Sequence, residues 1–280
     1  MILYKYVKPD GIDILEKSRV KVSGVNEFND PFELIPSVSD ITERQIYKYV
    51  IHNDRYIRHL YSLALSTGRT NKPYETFKSE IKNNYGKRIN NKYASDFTES
   101  TRALCKKLQI DSKMIAMISC FCGEANGNYQ EILMWAHYAD AHKGFRIIFD
   151  SDFFGIKNSK LIKIRYSKKR AQLNPISYWQ SGIKEISEIY EKVLKQKSIA
   201  WAYENEHRLF VSPQLCEKEG DRIFVNISLQ AIIGIDCGLQ CKSEQVEIIK
   251  RIVKDKYESK VKIRKACIDD YTFKLKYYEC

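Results

Sequence analysis

Ten residues near the middle of the chain, 135 to 144, hold one Trp, two His, one Tyr and one Asp. Aromatic rings of this kind carry a polar handle that needs a partner once the ring is buried. At helical spacing Glu131, Trp135, Tyr138 and His142 recur at intervals of four, three and four, so they share one face. That face is a candidate wall for a pocket, with His137 beside it as a proton-transfer group. His137 and His142 lie five apart and diverge around an ideal helix, which makes them poor joint metal ligands. No metal site is expected.

A second group is Glu204-Asn205-Glu206-His207-Arg208. If the backbone is extended from Glu204 onward, Glu204, Glu206 and Arg208 face one side, because side chains alternate along a strand. Arg208 would then orient one carboxylate while the other meets a substrate. An ion pair at a sheet edge is the plain structural alternative. A third group joins Tyr4 and Tyr6 of the opening strand to Ser23, Asn29 and Asp30 of the next segment, as a polar cleft mouth. Asp30 precedes Pro31 and is pushed out of the α region, so the corner is rigid, with Phe28 and Phe32 expected in the core.

The elements that must carry these groups read as an α+β fold with a mixed or antiparallel central sheet. Strands are expected at 2–7, 19–23, 114–122, 145–150, 161–166, from 206, and at 231–235, 261–264 and 271–276. Helices are expected at 12–17, 130–140, 178–201 and 243–253. A polar helical stretch, residues 40–110, reads as an insertion after the second strand within one domain spanning 1–280.

At 280 residues and 44% hydrophobic content the chain can bury a substantial core. It has no run of about 18 apolar residues, and its opening segment is too short and polar for a signal peptide. No membrane partner and a cytoplasmic location are expected. The eight cysteines are scattered, without CxxC or paired ligand clusters, which argues against a disulfide framework and a zinc site. Cys120 and Cys122 are expected as free thiols on opposite faces of a strand. The net charge of +12 favours a polyanionic partner, although Lys is spread along the whole chain. The tightest basic group is Lys163, Arg165, Lys168, Lys169 and Arg170. Absence of GxSxG, P-loop and GxGxxG patterns speaks against a hydrolase elbow, an NTPase and a Rossmann site.

Five motifs together resemble a bacterial family of unknown function. They are the LYKY strand at 3–6, the FNDPFE corner at 28–33, CFC at 120–122, the LMWAHYADAHKG block from 133 to the FD at 149–150, and WAYENEHRL at 201–209. Cys122 stands where that pattern has Ser, and His207 where it has Trp. The resemblance implies a role in phage defence or as a toxin. The element order also resembles the ADP-ribosyltransferase fold, which implies NAD as co-substrate. On that resemblance Tyr4 or Tyr6 and Ser23 would bind NAD, and Glu204 or Glu206 would stabilise charge at the ribose. Two other expectations stand beside it: a defence effector acting on nucleic acid, and a sensor that binds a ligand without turnover.

Overall fold

The computed structural model describes residues 1–24, 27–28, 30–33, 35–88, 98–103, 117–124, 128–181, 183–257 and 261–280. The chain divides into two compact units. One comprises Met1–Glu33, Ile110–Lys169 and Lys195–Cys280; the other comprises Leu34–Gln109 and Arg170–Leu194. In chain order the strands begin β1 (Ile2–Val7), β2 (Arg19–Val22), β3 (Ser37–Val38), β4 (Met117–Cys122) and β5 (Phe145–Asp150). Next are β6 (Lys160–Lys163), β7 (Arg165–Ser167), β8 (Gln172–Leu173), β9 (Gln196–Ser198) and β10 (Glu206–Val211). The last five are β11 (Glu217–Glu219), β12 (Arg222–Asn226), β13 (Ile232–Cys237), β14 (Lys262–Ile268) and β15 (Leu275–Glu279).

The first unit is built on a mixed eight-stranded sheet, ordered β15-β14-β13-β5-β1-β4-β10-β6. Its pairs are antiparallel except β13 with β14, and that parallel pair requires the crossover helix Ser243–Lys256. The fold class is α+β, as the alternation of apolar runs and helical periods implied.

The two faces of this sheet differ in kind. Leu3, Ile147, Phe149, Leu209 and Ile235 project to one side and form a dry core with Leu15 and Ile249 from flanking helices. The register pairs Tyr4↔Cys122, Tyr6↔Arg146, Arg146↔Asp236, Glu206↔Cys122 and Arg208↔Cys120 place polar side chains on the other side. Cys120 and Cys122 therefore share that face. The expectation of opposite faces is corrected by the strand period, since residues two apart project alike. The Asn128–Tyr138 helix packs over this polar face against β1.

One seam of the sheet is nearly unpaired. β1 pairs with β5 along its whole length, Ile2 to Val7, but meets β4 at the single position Tyr4↔Cys122. Further along β4, Ser23 bridges to Ile118 instead. Between these two points the strands separate.

The exit from the Asn128–Tyr138 helix explains much of the His-rich block. Asp140, Ala141 and His142 take φ of 49°, 49° and 67°, a left-handed stretch that turns the chain sharply. Gly144 follows because a Cβ there would lie 2.0 Å from the Val7 carbonyl oxygen. The turn thus delivers the chain directly into β5.

Three departures from the sequence reading have a plain local cause. The helix expected over 178–201 ends at Leu194, because Gln196–Ser198 pairs in parallel with β7. Ser198 then caps a 3-10 turn, Ile199–Glu204. The strand expected at 161–166 breaks at Ile164, whose N–H donates to the Glu206 carbonyl (2.9 Å). At the C-terminal end, Asp269 Oδ1 accepts from the N–H groups of Tyr271 and Thr272, which holds that stretch as a turn and delays the strand to 275–279.

In the second unit the helices Glu43–His52, Asp54–Ser66 and Tyr74–Arg88 pack on Ile46, Tyr49, Val50 and Ile57. Thr42 and Gln45 form a reciprocal capping box and Asn53 caps the next helix, so both N-termini are set by local sequence. β3 pairs in parallel with β8. Toward the end of the helical stretch expected at 40–110, residues 98–103 are described, and they are helical.

Candidate functional site

Where β1 and β4 part, the first unit opens into a cleft of about 600 Å³, within the range that holds a small-molecule ligand. Tyr4, Tyr6, Ser23, Tyr138, Glu204 and Glu206 all line it. These residues come from the opening strands, the Asn128–Tyr138 helix and the acidic segment, so the three distant pieces of sequence meet at one hollow. Lys5 spans the seam: its ammonium donates to the Cys120 carbonyl (2.7 Å) and Ser119 Oγ (3.2 Å). It also lies 4.9 Å from the centre of the Phe121 ring. Burial lowers the pKa of this ammonium.

The cleft wall carries a continuous polar chain. Tyr138 donates its phenol to Glu204, whose second oxygen accepts from Lys197 Nζ (2.6 Å). Lys197 also donates to Glu206 Oε2 (3.2 Å) and lies 3.7 Å from Glu33. Arg208 Nε donates to Glu206 Oε1 (2.7 Å), and its guanidinium also pairs with Glu33. Three carboxylates thus surround two cations, a surplus of one negative charge when all are ionised. Burial raises the Glu206 pKa, Glu204 pushes it further, and Lys197 opposes them without reversing the direction. Burial also works against the Lys197 ammonium, but Glu206 and Glu204 outweigh it and raise that pKa. Burial pushes the Cys122 thiol up to about 12 and Cys120 well above its ordinary value, so both stay protonated at neutral pH. The chemistry on offer is a held pair of carboxylates, one of them suited to carrying a proton.

Glu204 reaches this chain by a route other than the one expected. It ends a 3-10 turn, and Asn205 is left-handed at φ 42°, so strand alternation does not align it with Glu206. The turn brings its carboxylate to Lys197 instead. Arg208 is fully buried and orients Glu206 from behind the cleft wall. Asp30 is buried too, but its Oδ1 accepts from the Phe32 N–H (2.9 Å) in a rigid corner, and it does not line the cleft. Phe28 lines the cleft with its ring over Arg208, whereas Phe32 is exposed rather than in the core, because the Asp30 turn directs it outward. Asn29 lies outside the described residues.

The proposed helix face divides between two neighbourhoods. Tyr138 joins the cleft, while Trp135 is fully buried, edge-on to Tyr6 at 5.1 Å. His142 sits past the helix end and stacks on Trp135 at 5.9 Å, with burial lowering its pKa. His137 is exposed beside Tyr203 and does not line the cleft. Glu131 and Trp135 belong to a second ionic cluster. There Arg146 Nε donates to Asp236 (3.0 Å), and its guanidinium reaches Glu131 and the Tyr6 hydroxyl (3.0 Å). Arg264 Nε donates to Asp236 Oδ1 (2.7 Å), and Tyr277 donates to Glu131 (2.7 Å). Trp135 Nε1 donates to Tyr277 (3.0 Å). This cluster fixes Tyr6 and, through Tyr6, one wall of the cleft.

Among the site residues that sequence reasoning missed are Lys5, Lys8, Glu33 and Lys197. Lys5 was visible between two candidate tyrosines, and Glu33 closes the FNDPFE corner. Lys197 gave no signal, since it was absorbed into an apparent long helix.

Residues 134–209 match a family described as a protein of unknown function (DUF2971). That span carries Tyr138, Lys197, Glu204, Glu206 and Arg208, while Tyr4, Lys5, Tyr6, Ser23 and Glu33 lie outside it. No curated protein and no solved structure matches the chain. Among the described residues no helix is long and apolar enough to cross a membrane.

Proposed function

We propose that this protein is an ADP-ribosyltransferase-like enzyme that takes NAD into the cleft and modifies a macromolecule, in a bacterial defence or toxin role. The observation that carries the reading is the convergence of Tyr4, Tyr6, Ser23, Tyr138, Glu204 and Glu206 on one hollow, with both carboxylates held by Lys197. The defence setting rests on the motif resemblance.

The donor set suits a dinucleotide. Tyrosine rings offer flat apolar faces to planar heterocycles, Lys8 at the cleft rim offers a cation to phosphates, and carboxylates accept from ribose hydroxyls. NAD supplies a ribose bond to a good leaving group. The residues of the chain do the rest. Glu204 and Glu206 present negative charge where positive charge develops, and that interaction strengthens only in the transition state. Lys197 holds the two carboxylates together, Arg208 orients Glu206, and Tyr138 orients Glu204. With its raised pKa, Glu206 is the group that accepts a proton from the incoming acceptor.

Purified protein incubated with NAD should release nicotinamide, measured chromatographically. Glu206→Gln should cut that release by about 100-fold or more while the protein still unfolds cooperatively. Absence of both nicotinamide release and an NAD-dependent thermal shift would overturn the reading. A shift without turnover would favour the ligand sensor instead.

A further inference from the structure

Beyond the cleft, residues 157–169 contain six cations and no Asp or Glu. They are Lys157, Lys160, Lys163, Arg165, Lys168 and Lys169, and every one is exposed. Among the described residues none of the six makes an ion pair, whereas many surface cations elsewhere in this unit are neutralised. Lys17 pairs with Glu219, Lys21 with Glu27, Lys250 with Glu247 and Lys276 with Asp269. The six therefore differ from the general lysine richness of the chain in being both clustered and uncompensated.

Their scaffold is suited to tracking a linear ligand. β6 is the terminal strand of the large sheet, and β7 continues past the break at Ile164. Together they present roughly 25 Å of extended chain. The same segment is fastened to the cleft at two points. The Glu206 N–H donates to the Tyr166 hydroxyl (2.7 Å), and the Ile164 N–H donates to the Glu206 carbonyl (2.9 Å). In the parallel pairing of β7 with β9, Tyr166 stands opposite Lys197. Lys160 and Lys163 project to the two faces of β6 and so flank the edge of the sheet, and a ligand lying along that edge runs beside the strand that carries Glu206.

We infer that β6, β7 and the turn after them form a docking surface for single-stranded nucleic acid, held by its phosphates. This names the acceptor of the proposed transfer, and in that respect alone it rests on the NAD reading. A single strand is favoured over a duplex because the cleft holds one small ligand, and a base must leave its stack to approach such a site. Tyr166 spends its hydroxyl on Glu206, and none of the other twelve residues from 157 to 169 is aromatic. Recognition is thus led by phosphate charge and tolerant of sequence.

The test is fluorescence anisotropy with a labelled oligo(dT) strand of about 20 nucleotides, without NAD, between about 50 and 200 mM salt. With six phosphates engaged, the logarithm of affinity should fall with the logarithm of salt with a slope of about −4. The triple variant Lys163→Gln, Arg165→Gln, Lys168→Gln should bind at least about tenfold more weakly and lose about 2 from that slope. A control removing the same charge from the Ser243–Lys256 helix and its cap, Lys242→Gln, Arg251→Gln, Lys254→Gln, should change binding by less than about twofold. Equal losses in the two triples, a flat salt response, or tighter binding to a duplex of the same length would overturn the proposal. Nicotinamide release without nucleic acid reports the cleft alone, so failure of either idea is read separately.

Discussion

Two ionic clusters sit on the same face of the same sheet, and they are built to opposite plans. Around Asp236, two guanidiniums meet two carboxylates, Arg146 and Arg264 against Asp236 and Glu131, so formal charge balances. Aromatic rings of Tyr4, Tyr6, Trp135 and Tyr277 close over Arg146. Around Lys197 and Arg208 stand three carboxylates, with a cleft on one side. Burying charge without full pairing is costly, and a protein tolerates it where the unpaired part meets a ligand. The balanced cluster lies closed within the sheet, and the unbalanced one lines the cleft proposed for NAD.

Substitutions sharpen this contrast, and the largest effect belongs to the balanced cluster. Asp236→Asn leaves two guanidiniums facing one carboxylate at a fully buried position and should cost about 3–5 kcal/mol in urea unfolding. Glu206→Gln removes the surplus charge and leaves two cations against two carboxylates. It should cost less than about 2 kcal/mol, even though the proposed nicotinamide release should fall about 100-fold or more. If the two costs came out reversed, the comparison would break.

Acid–base behaviour gives the next effect. Because the Glu206 pKa is raised in the folded state above its ordinary value of 4.5, the folded protein binds that proton more tightly than the unfolded chain. Its contribution to stability is full below 4.5 and is lost as pH rises through the raised value. Urea midpoints followed upward from pH 4.5 should contain this decline in the wild type and lack it in Glu206→Gln. The smallest effect is that of Tyr138→Phe, which removes one donor from Glu204. It should cost about 1 kcal/mol, with a larger effect on nicotinamide release than on stability.

Much of the sheet was legible because period-two and period-3.6 patterns survive wherever one face is buried. The strand 145–150 appeared at its true bounds, and the stretch expected to be helical at 40–110 does carry helices, packed on Ile46, Tyr49, Val50 and Ile57. The site was legible in part. Aromatic and acidic residues grouped in sequence proved to meet in space, but Lys197 was hidden, because its strand pairs with a segment some thirty residues earlier. Local pattern carries no record of such a partner. Glu204 was found for the wrong reason, since a left-handed Asn205 replaced simple alternation. His137 and His142 drew attention by type, yet one is exposed and the other stacks on Trp135 at a turn. His chemistry and His packing look alike in one dimension.

The parted seam between β1 and β4 has a mechanical corollary. Five strands lie on one side of it and three on the other, joined within the sheet by the lone rung at Tyr4 and Cys122. Lys5 stands in for the missing rungs with its side chain, reaching across to the Cys120 carbonyl. Any molecule that wedges into this opening touches both halves at once, so occupancy and rigidity of the whole platform become a single quantity. Slowed amide exchange along β4 would then register binding at a distance from the wedge itself.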